Sequence, residues 1–271
     1  MNQERSSERE GDGIMNNKNK SLADKIPKRV WLLISFAVAM LFWYILSIIP
    51  STSRAFQNVV VVCQSIKTMI DRGVLGTDIL SSLISVVAGY VLGFVIALPV
   101  AILMAWYKPV RYIIEPWIQF IRNIPPLAYV PLIVIAAGVG RKPQIIVIWI
   151  ATFLIMTVTI YQGVRNIDNT LVKAARVLGA KDRDIFVKVI FPATTPFILT
   201  AVRLGISVAL TTLIAAETTG ATAGLGMRIR SLANSFETAG MLMYIIIIGL
   251  VMEKIIKFLE GRLTGWQEKR E

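Results

Sequence analysis

Arg203 is the single charge inside the run 195–216, and Glu217 follows directly after it. A guanidinium held among apolar residues can attract an anionic solute, and placing it mid-membrane costs about 3 kcal/mol on insertion scales. Its long side chain can also snorkel to an interface, about 12 Å from the start of the run at 1.5 Å per residue. Both roles stand at this point. Glu217 is roughly 21 Å further along the same helix, too far for a direct pair. Its expected role is to hold the Gly-rich segment TTGATAGLGMRIR that follows. Two cations in that segment, Arg228 and Arg230, either meet an acidic face of an external protein or stand as solvated charges. Other chemistry is excluded. The chain has no histidine, which removes Ser/His and Cys/His catalysis and His metal sites. Cys63 is the single cysteine, so there is neither an internal disulfide nor a metal spacing. No Gly-x-x-x-x-Gly-Lys-Ser/Thr occurs, so nothing cradles a nucleotide phosphate in that way.

A second chemistry-bearing stretch lies at 173–196, KAARVLGAKDRDIFVKVIFPATTP. Lys173, Arg176, Lys181, Asp182, Arg183, Asp184 and Lys188 crowd its first sixteen positions, between long uncharged runs. Asp168 is suited to cap a helix over 170–178, and Gly179 to the left-handed position that ends one. Asp182 then starts a second helix that runs to about Phe191, where Pro192 is expected to stop it. Ala174, Ala175, Gly179 and Ala180 are small enough to let the two meet closely. The result is a structured knob, a docking surface rather than a mere connection.

The elements that carry these residues are membrane spans. The chain has 271 residues, a mean hydropathy of +0.64 and 17% charged residues, against about 25% in soluble domains. Six spans are expected, near 30–49, 79–106, 124–140, 144–164, 195–216 and 239–259. They follow a polar tail at 1–29, leave the knob in a loop at 165–192, and make 30–266 one all-α transmembrane domain with a short tail at 267–271. Gly89 and Gly93 have the spacing that lets two helices approach, read here as packing within the chain. Pro125, Pro126 and Pro131 remove three backbone donors, so the third span starts late or bends. With the N-terminus inside, the inner segments hold 21 Lys and Arg and the outer segments seven. Both termini are therefore expected in the cytoplasm. The net charge of +12 is read as loops meeting anionic membrane lipid, not nucleic acid.

Ala174, Ala175 and Gly179, followed by Phe186 and Pro192, resemble the cytoplasmic loop of ABC importer permeases, whose pattern is Glu-Ala-Ala, three residues, Gly, a hydrophobic stretch and Pro. The likeness extends to the nitrate/sulfonate/taurine branch of that family. It is carried by Gly73-Val74-Leu75 with Ser82, Arg122 with Ile124, Pro125, Pro126 and Pro131, Gly205 after Arg203, Glu217, Gly224-Leu225-Gly226 and Trp266. Two positions depart. The family's Glu is Lys173 here, so a charge pair made by that Glu is absent or reversed. An aromatic pair common before Gly-x-Gly is Ala136-Ala137.

The resemblance implies a type I ABC importer-like fold in a bacterial or archaeal inner membrane. It implies a permease that is not itself an enzyme and holds no cofactor, with ATP and Mg bound by a separate ATPase dimer. Lys173, Ala174, Ala175, Gly179, Ala180 and Asp182 would couple to that ATPase. Arg203, Pro125 and Pro126 would line the path, and Arg228 and Arg230 would meet an extracytoplasmic solute-binding protein. A second permease copy, in a homodimer, would complete the path for a small, possibly anionic solute of sulfonate, taurine or nitrate type. The competing reading is a secondary transporter driven by an ion gradient. Such a protein usually carries mid-membrane carboxylates, which the six runs lack apart from Glu217 and Glu253 near their ends.

Overall fold

The computed structural model describes residues 27–264, all helices and turns among the described residues. The chain divides into two compact units, Met1–Val60 and Val61–Glu271. In the first, α1 (Lys28–Ile48) follows Pro27 and carries no charge from Val30 onward. Trp43 closes the turns after it, donating from Nε1 to the Gln57 carbonyl at 3.0 Å and meeting Phe56 edge-on at 6.4 Å. A further helix, α2 (Val59–Asp71), begins at the boundary between the units.

The second unit is organised around α6 (Arg141–Arg165), the most buried of the long helices. Helix α3 (Val74–Trp106) packs along one side of it and α9 (Phe191–Gly220) runs back along another. Small residues set the approach. A Cβ on Gly89 would lie 2.7 Å from Ile148 Cβ and 2.9 Å from the Ile145 carbonyl oxygen, and one on Gly93 would strike Thr152. The Gly89/Gly93 pair therefore packs within the chain, as its spacing suggests. Gly163 admits Phe197, and Gly205 admits Met156, in the same way. Larger side chains fill the rest: Met104, Met156, Ile160 and Tyr161 towards one end, Val86, Ile148, Leu210 and Leu213 towards the other.

Between α3 and α6 the chain makes two shorter helices, α4 (Lys108–Arg122) and α5 (Pro126–Ala137), bent by 102°. The break has a local cause. A residue before proline avoids the α region, and here both Ile124 and Pro125 precede one. Pro126 then sits at the first helical position, where its missing N–H costs nothing. Among the described residues, five helices are long and apolar enough to cross a membrane, or six with this bent pair as one span. Residues 107–123, between the expected spans at 79–106 and 124–140, are thus almost wholly helical. Val130 of α5 packs with Val147 and Ala216.

After α6 come α7 (Asn169–Val177), a short α8 (Asp182–Ile185) and a π-helical turn, Phe186–Ile190, that leads straight into α9. The stop expected at Pro192 does not occur, because 182–220 form one continuous rod. The π turn explains this. The Phe191 N–H reaches back five residues to the Phe186 carbonyl. The widened backbone makes room for the Pro192 ring, which would otherwise press on the carbonyl of Lys188. At the opposite end of the bundle, α10 (Leu225–Asn234) lies in the connection to α11 (Thr238–Thr264).

Candidate functional site

At the loop end, α7 has the ends its sequence specifies. Asp168 caps it, accepting from the Thr170 N–H at 2.8 Å. Gly179, at φ 80°, closes it: its N–H donates to Arg176 O at 2.9 Å and the Ala180 N–H to Ala175 O at 3.0 Å. That pair of bonds is the Schellman arrangement, which a Cβ at Gly179 would strain. Trp106, at the end of α3, meets Phe186 edge-on at 5.4 Å and ties the rod to the bundle. Ile185 is buried beneath the turn. The tip is open. Val177 and Leu178 are 87% and 86% exposed, and Lys173, Ala174, Gly179 and Asp182 are exposed around them, with Ala175 and Ala180 half-buried. Arg176 pairs with Asp182 at 3.4 Å and Lys188 with Asp184 at 3.0 Å, both at the surface. Lys173 has no carboxylate within 4.0 Å among the described residues.

Halfway along the bundle lies a cavity of about 330 Å³. Arg122, Asn123, Ile124, Pro126 and Tyr129 line it from the α4–α5 break, facing Ala151, Leu154 and Ile155 of α6 and Val208 of α9. Residues 151–155 are ten to fourteen positions into α6, roughly 15–21 Å along a helix about 37 Å long. The break and Arg122 are therefore at mid-depth, not in a surface loop. Pro126 lines this cavity, while Pro125 is exposed beside it. Arg203 is on α9 between Phe197, seated on Gly163, and Gly205, seated on Met156. That level is about 10 Å inside the loop end of α6. Thr200, Arg203, Ser207 and Thr211 recur at helical spacing and are all exposed, opposite the buried Gly205, Ile206 and Ala209. Neither Arg122 nor Arg203 has a carboxylate within 4.0 Å among the described residues.

The opposite end holds a buried polar cluster that sequence patterning missed. Asp78, fully buried near the start of α3, accepts from Arg228 Nε at 2.9 Å, Tyr244 Oη at 3.0 Å and the Gly224 N–H at 3.2 Å. Glu217, also buried, accepts from Ser82 Oγ at 2.5 Å and from the Gly226 N–H at 2.7 Å. Ser82 Oγ in turn accepts from the Leu225 N–H at 3.0 Å. Two carboxylates and one hydroxyl thus hold three successive amides, so that α10 is laced to α3, α9 and α11. Gly224, at φ 137°, is required, because a Cβ there would collide with the Glu217 carboxylate. Glu217 therefore holds the Gly-rich segment. Arg228 points inward to Asp78, which raises the pKa of its guanidinium through their hydrogen bond. Arg230 is exposed and donates to the Thr218 carbonyl. Ser82, Glu217, the Gly224-Leu225-Gly226 run and Arg228 stood out in the sequence, Arg228 as an outward-facing cation rather than as the partner of Asp78. Asp78 lies one residue outside the apolar run, and its partner is 150 positions away.

Comparison with known proteins agrees with this architecture. A probable ABC transporter permease protein of Brucella abortus is 42% identical over 240 residues, 88% of this chain and 95% of that one. The taurine transport system permease protein TauC of Escherichia coli is 38% identical over 173 residues, 62% of each chain. Among solved structures, the inward-facing MetNI methionine ABC transporter superposes with a TM-score of 0.59 at 19% identity, covering 70% of this chain and 94% of that one. That likeness speaks for the fold. The family model for binding-protein-dependent transport system inner membrane components matches residues 89–264. The chain therefore belongs to the family of binding-protein-dependent transport system inner membrane components.

Proposed function

We propose that this ABC importer permease carries a small anionic solute along the exposed polar face of α9, and that the knob at 165–192 receives the push of a separate ATPase. The carrying observation is that face itself. Thr200, Arg203, Ser207 and Thr211 lie on a helix long and apolar enough to cross a bilayer, yet they point away from the core of the bundle. Hydrocarbon is a poor neighbour for such a stripe, and a guanidinium within it costs about 3 kcal/mol there. A water-filled path shared with a second copy of the chain removes that cost. Arg122, in the mid-depth cavity, gives the path a second cation. The TauC relative, a taurine transport permease, points to a sulfonate as the type of solute.

In this reading, ATP closes the two ATPase subunits, which bind the nucleotide and Mg. The exposed Val177–Leu178 tip, with Lys173, Ala174, Ala175, Gly179, Ala180 and Asp182 around it, moves with them as a rigid lever. An external binding protein delivers the solute at the α10 end, where Arg230 is an exposed cation and Arg228 braces the loop from beneath. The chain spans the inner membrane with both termini in the cytoplasm. The test is uptake of taurine and nitrate into vesicles that hold the whole transporter. Arg203→Gln should lower uptake at least tenfold while ATP hydrolysis persists, and Arg203→Lys should keep most of it. Unchanged uptake by Arg203→Gln would remove α9 from the path.

A further inference from the structure

A larger cavity, of about 650 Å³, opens at the loop end, away from the path and beneath the knob. Its walls bring together Lys108 and Arg111 from the start of α4, Arg165 from the end of α6, and Arg176 and Asp182 from the knob. Four cations therefore share one concavity with one carboxylate, and Asp182 is already paired to Arg176 at 3.4 Å. Among the described residues, Glu115 approaches this group from outside the cavity lining, 3.7 Å from Arg111 and hydrogen-bonded by Tyr161 at 3.5 Å. That contact leaves Arg111 Nε buried without a hydrogen-bond partner, while the guanidinium stacks over the Tyr112 ring at 4.8 Å. Lys108 and Arg165 have no carboxylate within 4.0 Å among the described residues. Cations this close repel one another, and a concave site with low-dielectric walls concentrates an anion. Beside this site, exposed Trp106, Tyr107 and Tyr112 form an aromatic group of the kind found at bilayer interfaces.

We propose that this cavity is a binding site for the phosphate-bearing headgroup of an anionic phospholipid. The phosphate is the shared chemistry, and the adjoining aromatic belt favours the lipid over free phosphate. A single bound headgroup bridges α4, α6 and α7, and so braces the knob against the bundle through charge as Trp106 braces it through packing. Basic clusters on the inner face of a membrane attract anionic lipid. The site rests on the proposed orientation only for the leaflet that supplies the lipid. Binding is read on the purified chain without transport, so its failure and a failure of the transport reading are separable.

The experiment titrates the full chain in detergent with phosphatidylglycerol, with phosphatidylcholine of the same acyl chains, and with inorganic phosphate, following bound lipid by native mass spectrometry and thermal stability. Wild type should bind phosphatidylglycerol saturably and at least tenfold more tightly than phosphatidylcholine. Lys108→Gln/Arg165→Gln should lose that preference, Lys108→Arg/Arg165→Lys should keep it, and the opposite-end control Arg141→Gln/Lys142→Gln should match wild type. Inorganic phosphate that binds as tightly as the lipid would overturn the lipid assignment. Equal binding of both lipids by wild type, or an unchanged preference in the glutamine double variant, would overturn the site. The wild-type comparison stands even if the double variant does not fold.

Discussion

Asp78→Asn is the sharpest perturbation of the clasp that holds α10. Asp78 takes four hydrogen bonds on two oxygens: Arg228 Nε and Tyr244 Oη on Oδ2, and the Gly224 N–H and Arg228 Nη2 (3.4 Å) on Oδ1. Asparagine keeps one acceptor and turns an NH2 towards Arg228 and Tyr244. Two hydrogen bonds to a charged group, about 1.5–3 kcal/mol each, are lost. Tyr244 regains part by rotating its hydroxyl to accept, and Arg228, at 28% side-chain exposure, regains part from water. The net weakening is then about 3 kcal/mol, or roughly a hundredfold in the opening equilibrium. Amide exchange reads it directly. The N–H groups of Gly224, Leu225 and Gly226 should exchange roughly a hundredfold faster, while those in the middle of α6 stay as slow as in wild type. Adding Arg228→Met, which removes the stranded cation, should restore at least half of the lost protection on a logarithmic scale. A change below threefold at these amides would refute the clasp. So would an acceleration spread evenly over α6, since that would mean loss of the whole fold.

Two further perturbations test the knob and the packing. Gly179→Val places a β-branched residue at φ 80° where no neighbour crowds it, so the cost is backbone strain alone, about 1–3 kcal/mol on the end of α7. Solute uptake should fall while the chain still inserts and purifies in normal yield; full uptake would remove the Schellman turn from coupling. Gly89→Ala drives a methyl against Ile148 and the Ile145 carbonyl, overpacking α3 on α6 by about 1–3 kcal/mol. Thermal unfolding in detergent should shift down by several degrees, and an unchanged midpoint would mean that α3 and α6 yield freely there.

Local signals carried much of this architecture into the sequence. Asp168 and Gly179 mark both ends of α7 because capping is a matter of a few neighbouring residues. Glu217 beside a Gly-rich run was legible as a support for it, since side chain and amides are only nine positions apart. Asp78 was not. A lone carboxylate beside an apolar run reads as the end of a span, and nothing local shows that Arg228 will pair with it and Tyr244 donate to it from 150 and 166 positions away. Helix α4 was hidden by its composition, because Lys108, Arg111, Glu115 and two prolines read as a loop. That reading also moved Arg122 to the surface, when the α4–α5 break sets it at mid-depth. Pro192 was read as a stop by a rule that holds for regular α-helix, and the π turn before it lifts the clash on which that rule depends.

The central claim is that this permease is driven through its knob by an ATPase that binds nucleotide on another chain. Affinity purification of the full chain from its own membranes in mild detergent, with the mass of every stoichiometric partner measured, tests it most directly. The expected result is two permease copies with two ATPase copies, and loss of the ATPase, but not of the second permease, when Val177 and Leu178 are both replaced by Asp. A chain that purifies without any nucleotide-binding partner, and whose solute uptake ignores ATP but follows an ion gradient, would contradict it.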